Sequence, residues 1–207
     1  ANAMTFQGSV IGLGATSGAG AVPLFTTPRT VTRFALQIAM IASNASIQRF
    51  AAADARNDGK RKAALLLLGL GASTVILLPA ALALLVFGPW VVARWTHGTV
   101  EIGLGMMLPL ALSMLLAGLW MPLGNLLIAL NRHTGYALVF TIVSLACVGA
   151  GALASAFAGI TAMAWAIAAL DLLMAAWIAT RFAQGGIVSR AQMIDCLWEL
   201  AGRMRSM

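Results

Sequence analysis

The chain has 207 residues, 61% of them apolar and only 9% charged, with a formal charge of +7. A soluble domain is roughly 45–50% apolar and about 25% charged, so this composition excludes one. The basic residues form no single long patch and sit at the ends of apolar runs, which argues against nucleic acid and for a membrane.

In chain order, the first element is "TFQGSVIGLGATSG", apolar and glycine-rich but too short to span alone. It predicts a partial helix over 5–17, in which Gly14 and Gly18 form a G-x-x-x-G spacing suited to close helix contact. The second apolar segment, 19–44, is long enough to cross a hydrocarbon core roughly 30 Å thick. It contains "FTTPRTVTRF", which places Arg29 and Arg33 four residues apart and therefore on one helix face. An arginine near the bilayer centre costs at least roughly 2.5–3.5 kcal/mol, so the pair must face protein or water. One reading is an anion site in a hydrated cavity, because guanidinium forks fit phosphate oxygens. The other is snorkelling to the interface or pairing with an acid on another helix. Both stay open at this stage.

Four further helices are predicted over 63–88, 101–131, 135–158 and 160–182. The first has Lys60, Arg61 and Lys62 before it and Trp90 and Trp95 after it, a basic end and an aromatic interfacial end. Pro79 is tolerated there as a kink, and Pro109 and Pro122 predict a bend in the next helix. Asp171, in "AALDLLMAAW", is the carboxylate inside a span, a position that marks an ion or proton pathway, the competing reading being a static partner for arginine or a hydrogen bond to a neighbouring helix. Gln37, Asn44 and Asn125 are candidates for a polar path, the competing reading being hydrogen-bonded contact between helices. Cys147, and Gly149 and Gly151 beside it, read as small packing residues. Residues 184–207 predict a cytoplasmic tail, either an amphipathic surface helix or disordered.

The expected fold class is therefore an all-α membrane protein with about six transmembrane helices over residues 1–183. Alternating crossings put Arg49, Arg56, Lys60, Arg61, Lys62, Arg132, Arg181, Arg190, Arg203 and Arg205 on one side, with Arg94 on the other. The positive-inside rule makes the first side cytoplasmic, with the carboxy-terminus on it. Nothing matches soluble catalytic chemistry: there is no His-Glu-x-x-His zinc motif, glycine-rich phosphate loop or Gly-x-Ser-x-Gly elbow. No enzymatic activity, cofactor or metal is expected.

The stretches "FQGSVIGLGATSGAGAVPLFTTPRTVTRFALQ", "AAADARNDGKRKA", "RWTHGTVEIGLGMMLPLAL", "LLIALNRHTGYAL" and "AALDLLMAAW" occur in an order that resembles the bacterial polysaccharide and O-antigen flippases. These belong to the multidrug/oligosaccharidyl-lipid/polysaccharide exporter superfamily. The resemblance implies a two-bundle (MATE-like) fold, of which this chain is the second bundle, the first coming from an amino-terminal half or a second copy. It implies an inner-membrane protein that moves a polyprenyl-pyrophosphate-linked oligosaccharide to the periplasmic leaflet by alternating access. Arg29 and Arg33 would then hold the anionic head group, and Asp171 would tune the cavity charge or couple a cation. Expected partners are the lipid-linked oligosaccharide, membrane lipids, the missing bundle, and a glycan polymerase or glycosyltransferase. The alternatives are a cation-coupled exporter of small molecules and a non-transporting scaffold in a glycan-assembly complex.

Overall fold

The computed structural model describes residues 2–131 and 133–184. Seven helices account for the described chain: α1 (Asn2–Ser17), α2 (Ala21–Ala45), α3 (Ile47–Ala55), α4 (Gly59–Trp95), α5 (Leu104–Ala129), α6 (His133–Ala158) and α7 (Thr161–Gln184). The described residues contain no strand. Four of the helices, α4 to α7, are long and apolar enough to cross a membrane, which makes this a multi-pass membrane protein. The expected count of about six is not reached on that criterion. With 16 residues, α1 covers about 24 Å at 1.5 Å each, less than a bilayer core. The 25 residues of α2 would be long enough, but four threonines and two arginines dilute its apolar content.

The largest departure from the predicted elements lies between α2 and α4. "QRFAAADARNDGKRK" falls between the predicted helices 19–44 and 63–88, yet residues 47–55 form the short amphipathic helix α3. It buries Phe50 and Ala53, with Phe50 packed against Ala63, Leu66 and Leu126, so two apolar side chains on one face suffice to dock it under α4 and α5. The predicted span 63–88 also lengthens in both directions to 37 residues. At its start, the Asp58 carboxylate accepts the backbone N–H of Arg61 at 2.9 Å, a side-chain cap for an otherwise orphaned donor. Lys62 is buried instead of projecting as part of a basic flank, and it pairs with Asp54 of α3 at 2.8 Å. The last turn closes on Gly98, whose N–H bonds the Ala93 carbonyl at 2.7 Å with a positive φ of 78°. Helix α5 runs unbroken through Pro109 and Pro122. The predicted tail falls on residues outside those described, apart from Gln184, which ends α7.

Helix α5 is the hub. It buries side chains around its circumference, from Met106 and Met107 through Met114 and Trp120 to Leu127, as expected for a helix apolar all round. It packs against α4 on one side and α7 on the other, while α2 lies in the groove of α4 and α5. Helix α1 associates with α6, remote in sequence, more than with α2, its neighbour in the chain. The reason is glycine: a Cβ on Gly12 would come within 2.9 Å of the Ala152 Cβ, and one on Gly8 within 3.3 Å of Val148. Gly151 likewise faces Ala166 and Met163 of α7. The G-x-x-x-G pair picked out from spacing is not this contact. Gly18 has open space around its Cα and a positive φ of 82° in the turn to α2, and Gly14 has room for a methyl group.

Candidate functional site: a charged cavity inside the bundle

Between α1, α2, α5, α6 and α7 lies a cavity of about 60 Å³, bordered by Thr5, Arg29, Thr32, Arg33, Ser113, Trp120, Phe140 and Asp171 among others. A water occupies about 30 Å³ in the liquid, so the space is small and polar enough to hold ordered solvent. Arg29, Arg33 and Asp171, chosen from the sequence on separate grounds, border the same cavity. Two cations and one anion leave it formally at +1.

Arg29 comes from the third turn of α2 and is only 4% exposed. Its Nη1 donates to Ser9 Oγ of α1 at 2.6 Å. The guanidinium also lies over two aromatic rings, 5.2 Å from the Phe6 centroid and 5.4 Å from that of Phe25. Arg33, one turn on and half-buried, lies over the same Phe6 ring at 5.6 Å. Cation–π attraction of this kind is worth about 0.5–2 kcal/mol, more where water is excluded. A guanidinium has five N–H donors, and one hydroxyl and two ring faces leave several of them uncommitted.

Asp171 is 7% exposed on α7 and would be the obvious counter-ion. It is engaged elsewhere. Its Oδ1 accepts the indole N–H of Trp120 at 3.0 Å, and its Oδ2 accepts the Ser113 hydroxyl. Among the described residues the ion pair found is Lys62 with Asp54, and neither cavity arginine is paired with a carboxylate. Asp171 therefore lowers the positive potential of the cavity across space while leaving the arginine forks open to a ligand.

Trp120 is held in turn by an aromatic wall, its ring centroid 5.6 Å from that of Phe140 and 6.1 Å from that of Tyr136. Thr5 adds a hydroxyl on the α1 side, bonded to Ser144 Oγ of α6 at 3.2 Å. Ser9, Phe6, Ser113 and Trp120 are the participants that residue-by-residue reading missed. A signal existed in the spacing: Ser113 and Trp120 are seven apart, two turns on one face of α5. It does not identify which polar group on another helix that face will meet.

The remaining candidates do not converge on the cavity. Gln37 is exposed on α2. Asn125 of α5 donates to Ser43 Oγ at 2.9 Å and to Asn44 Oδ1 at 3.0 Å, which ties α5 to the end of α2. That is hydrogen-bonded helix contact, the competing reading for this pair. Cys147 is a free, half-buried thiol packed beside the aromatic wall. Among the described residues no cluster of His, Cys, Asp and Glu could hold a metal ion. No family model, curated protein or solved structure matches the chain.

Proposed function

We propose that the cavity binds a phosphate-bearing anionic head group within the membrane, and that the chain serves as one bundle of a two-bundle, MATE-like flippase for polyprenyl-pyrophosphate-linked oligosaccharides. The observation that carries the anion site is the state of Arg29. Among the described residues it is almost wholly buried, bonded to a single neutral hydroxyl, and borders one cavity with an aspartate whose oxygens are engaged by other donors. Burying an unpaired charge is costly, so such an arrangement fits a site whose partner arrives as ligand.

The translocation step rests on the sequence resemblance, together with the multi-pass character of the chain. In this reading α1 and α2 count as the fifth and sixth spans, shielded by the other bundle. Rocking of the two bundles exposes the cavity to each leaflet in turn, with no covalent step. The sugar and pyrophosphate pass through the hydrated interior while the polyprenyl tail remains in lipid. The protein then belongs to the bacterial inner membrane with its carboxy-terminus cytoplasmic.

The test is leaflet-resolved analysis of polyprenyl-pyrophosphate oligosaccharides in cells lacking the gene, complemented with the wild-type gene or with Arg29→Ala. Accumulation on the cytoplasmic leaflet that wild type reverses and Arg29→Ala does not is the expected result. Unchanged intermediates in the deletion strain would overturn the transport assignment. Full rescue by Arg29→Ala would overturn the assignment of the site.

A further inference from the structure

We propose that Phe6 is a displaceable aromatic cap on the arginine pair, a positioning residue that occupies both guanidinium groups until a phosphate-bearing ligand takes its place. The inference rests on the anion-site reading above and names what holds the two arginines between ligands. Two observations carry it. Both arginines lie over the one Phe6 ring, at 5.2 and 5.6 Å, although they belong to different turns of α2. Phe6 is also 38% exposed, whereas Phe25, the other ring beside Arg29, is fully buried in the α1–α2–α5–α7 core. Phe25 is fixed packing; Phe6 has space to leave.

The electrostatics explain why a ring sits there. Two like charges at i and i+4 repel, and the negative face of an aromatic ring offsets that repulsion without introducing an acid. A carboxylate at the same position would neutralise the arginines by a strong charge-assisted hydrogen bond that a ligand would have to break. A ring is the weaker partner. A di- or trianionic phosphate group replaces it with forked hydrogen bonds to both guanidinium groups, and Phe6 moves into the exposed space it already borders. The cap thus lowers ligand affinity by the strength of the ring contacts and keeps the charged pair ordered between ligands.

The experiment is calorimetric titration of the purified full-length chain in lipid nanodiscs with inorganic pyrophosphate and, separately, with farnesyl pyrophosphate. The proteins compared are wild type, Phe6→Leu, Phe6→Trp, Arg29→Ala, and a form carrying a ring-fluorinated phenylalanine at position 6. Fluorination drains the ring face at nearly constant shape, so its effect does not depend on packing. The expected order of affinity is Phe6→Leu and the fluorinated ring above wild type, by roughly three- to tenfold, with Phe6→Trp below it. That order with both probes supports the cap for phosphate in general; with farnesyl pyrophosphate alone it supports the cap for a lipid-linked phosphate. A flat or reversed order, with binding still lost in Arg29→Ala, would overturn the cap and leave the anion site standing. Wild-type binding that is absent, or unaffected by Arg29→Ala, would remove the anion site and the cap with it.

Discussion

The indole N–H of Trp120 donates to Asp171 Oδ1 at 3.0 Å, and this bond holds an acid that borders the cavity against α5 instead of against the arginines of α2. Trp120→Phe keeps an aromatic ring beside Phe140 but removes the donor. A buried acceptor that loses its partner costs about 1–3 kcal/mol, and the freed carboxylate can turn towards Arg29. Expected outcomes are a lower melting temperature in detergent and weaker pyrophosphate binding, measured by thermal unfolding and calorimetry. Unchanged affinity would show that Asp171 does not compete for the arginines.

Asp171→Asn separates charge from hydrogen bonding. The amide oxygen still accepts from Trp120, and the amide nitrogen can donate to Ser113 Oγ, so the fold should persist. Removing the negative charge raises the net positive charge of the cavity, and pyrophosphate affinity should rise roughly three- to tenfold. A cation-coupled exporter predicts instead that this substitution abolishes transport, which a transport assay in cells would show.

Ser9→Ala deletes the hydrogen-bond acceptor of Arg29. Hydrogen bonds to charged groups contribute about 1.5–3 kcal/mol, so stability should fall by an amount in that range. Saturating pyrophosphate should restore more stability to this variant than to wild type, because the ligand supplies the missing acceptor. Equal stabilisation of the two proteins would count against Arg29 as the anion's contact.

The α1–α6 contact should tolerate no bulk at Gly12, whose Cβ position lies 2.9 Å from that of Ala152. Gly12→Val should cost about 1–3 kcal/mol through overpacking. Gly14→Ala should be nearly neutral, since its nearest neighbour, Val22 Cγ2, would be at 3.7 Å. Thermal unfolding of the two variants side by side distinguishes this register from the one that G-x-x-x-G spacing predicts.

Ser73 on α4 is 1% exposed, and its hydroxyl has no hydrogen-bond partner among the described residues. Ser73→Ala should therefore stabilise the protein by about 1 kcal/mol, since it removes a buried polar atom without changing the packing around it. A fall in melting temperature would reveal a partner for that hydroxyl.

Local patterns carried a large share of the architecture. The four long apolar helices and the all-helical class follow from composition and run length, because a chain in lipid must satisfy its backbone hydrogen bonds internally. The same cost of burying charge made Arg29, Arg33 and Asp171 conspicuous, each an expensive residue in an apolar context. Helix α3 escaped notice because nine residues with two buried side chains give too short a pattern to separate from a polar loop. Which glycines make the tight seam was also beyond spacing: Gly12 and Gly14 have the same neighbourhood in sequence, and only the rotation of α1 against α6 puts one inward.

Sequence by itself determined that this is a membrane protein of apolar helices carrying three costly charges, since transfer energies act residue by residue. Tertiary structure alone decided how those charges relate. It brought α1, α2, α5 and α7 together so that Trp120 and Ser113 hold Asp171, Ser9 and Phe6 meet Arg29, and the guanidinium forks remain open. Such pairings depend on helix rotation and crossing, which long-range packing sets and no local periodicity records.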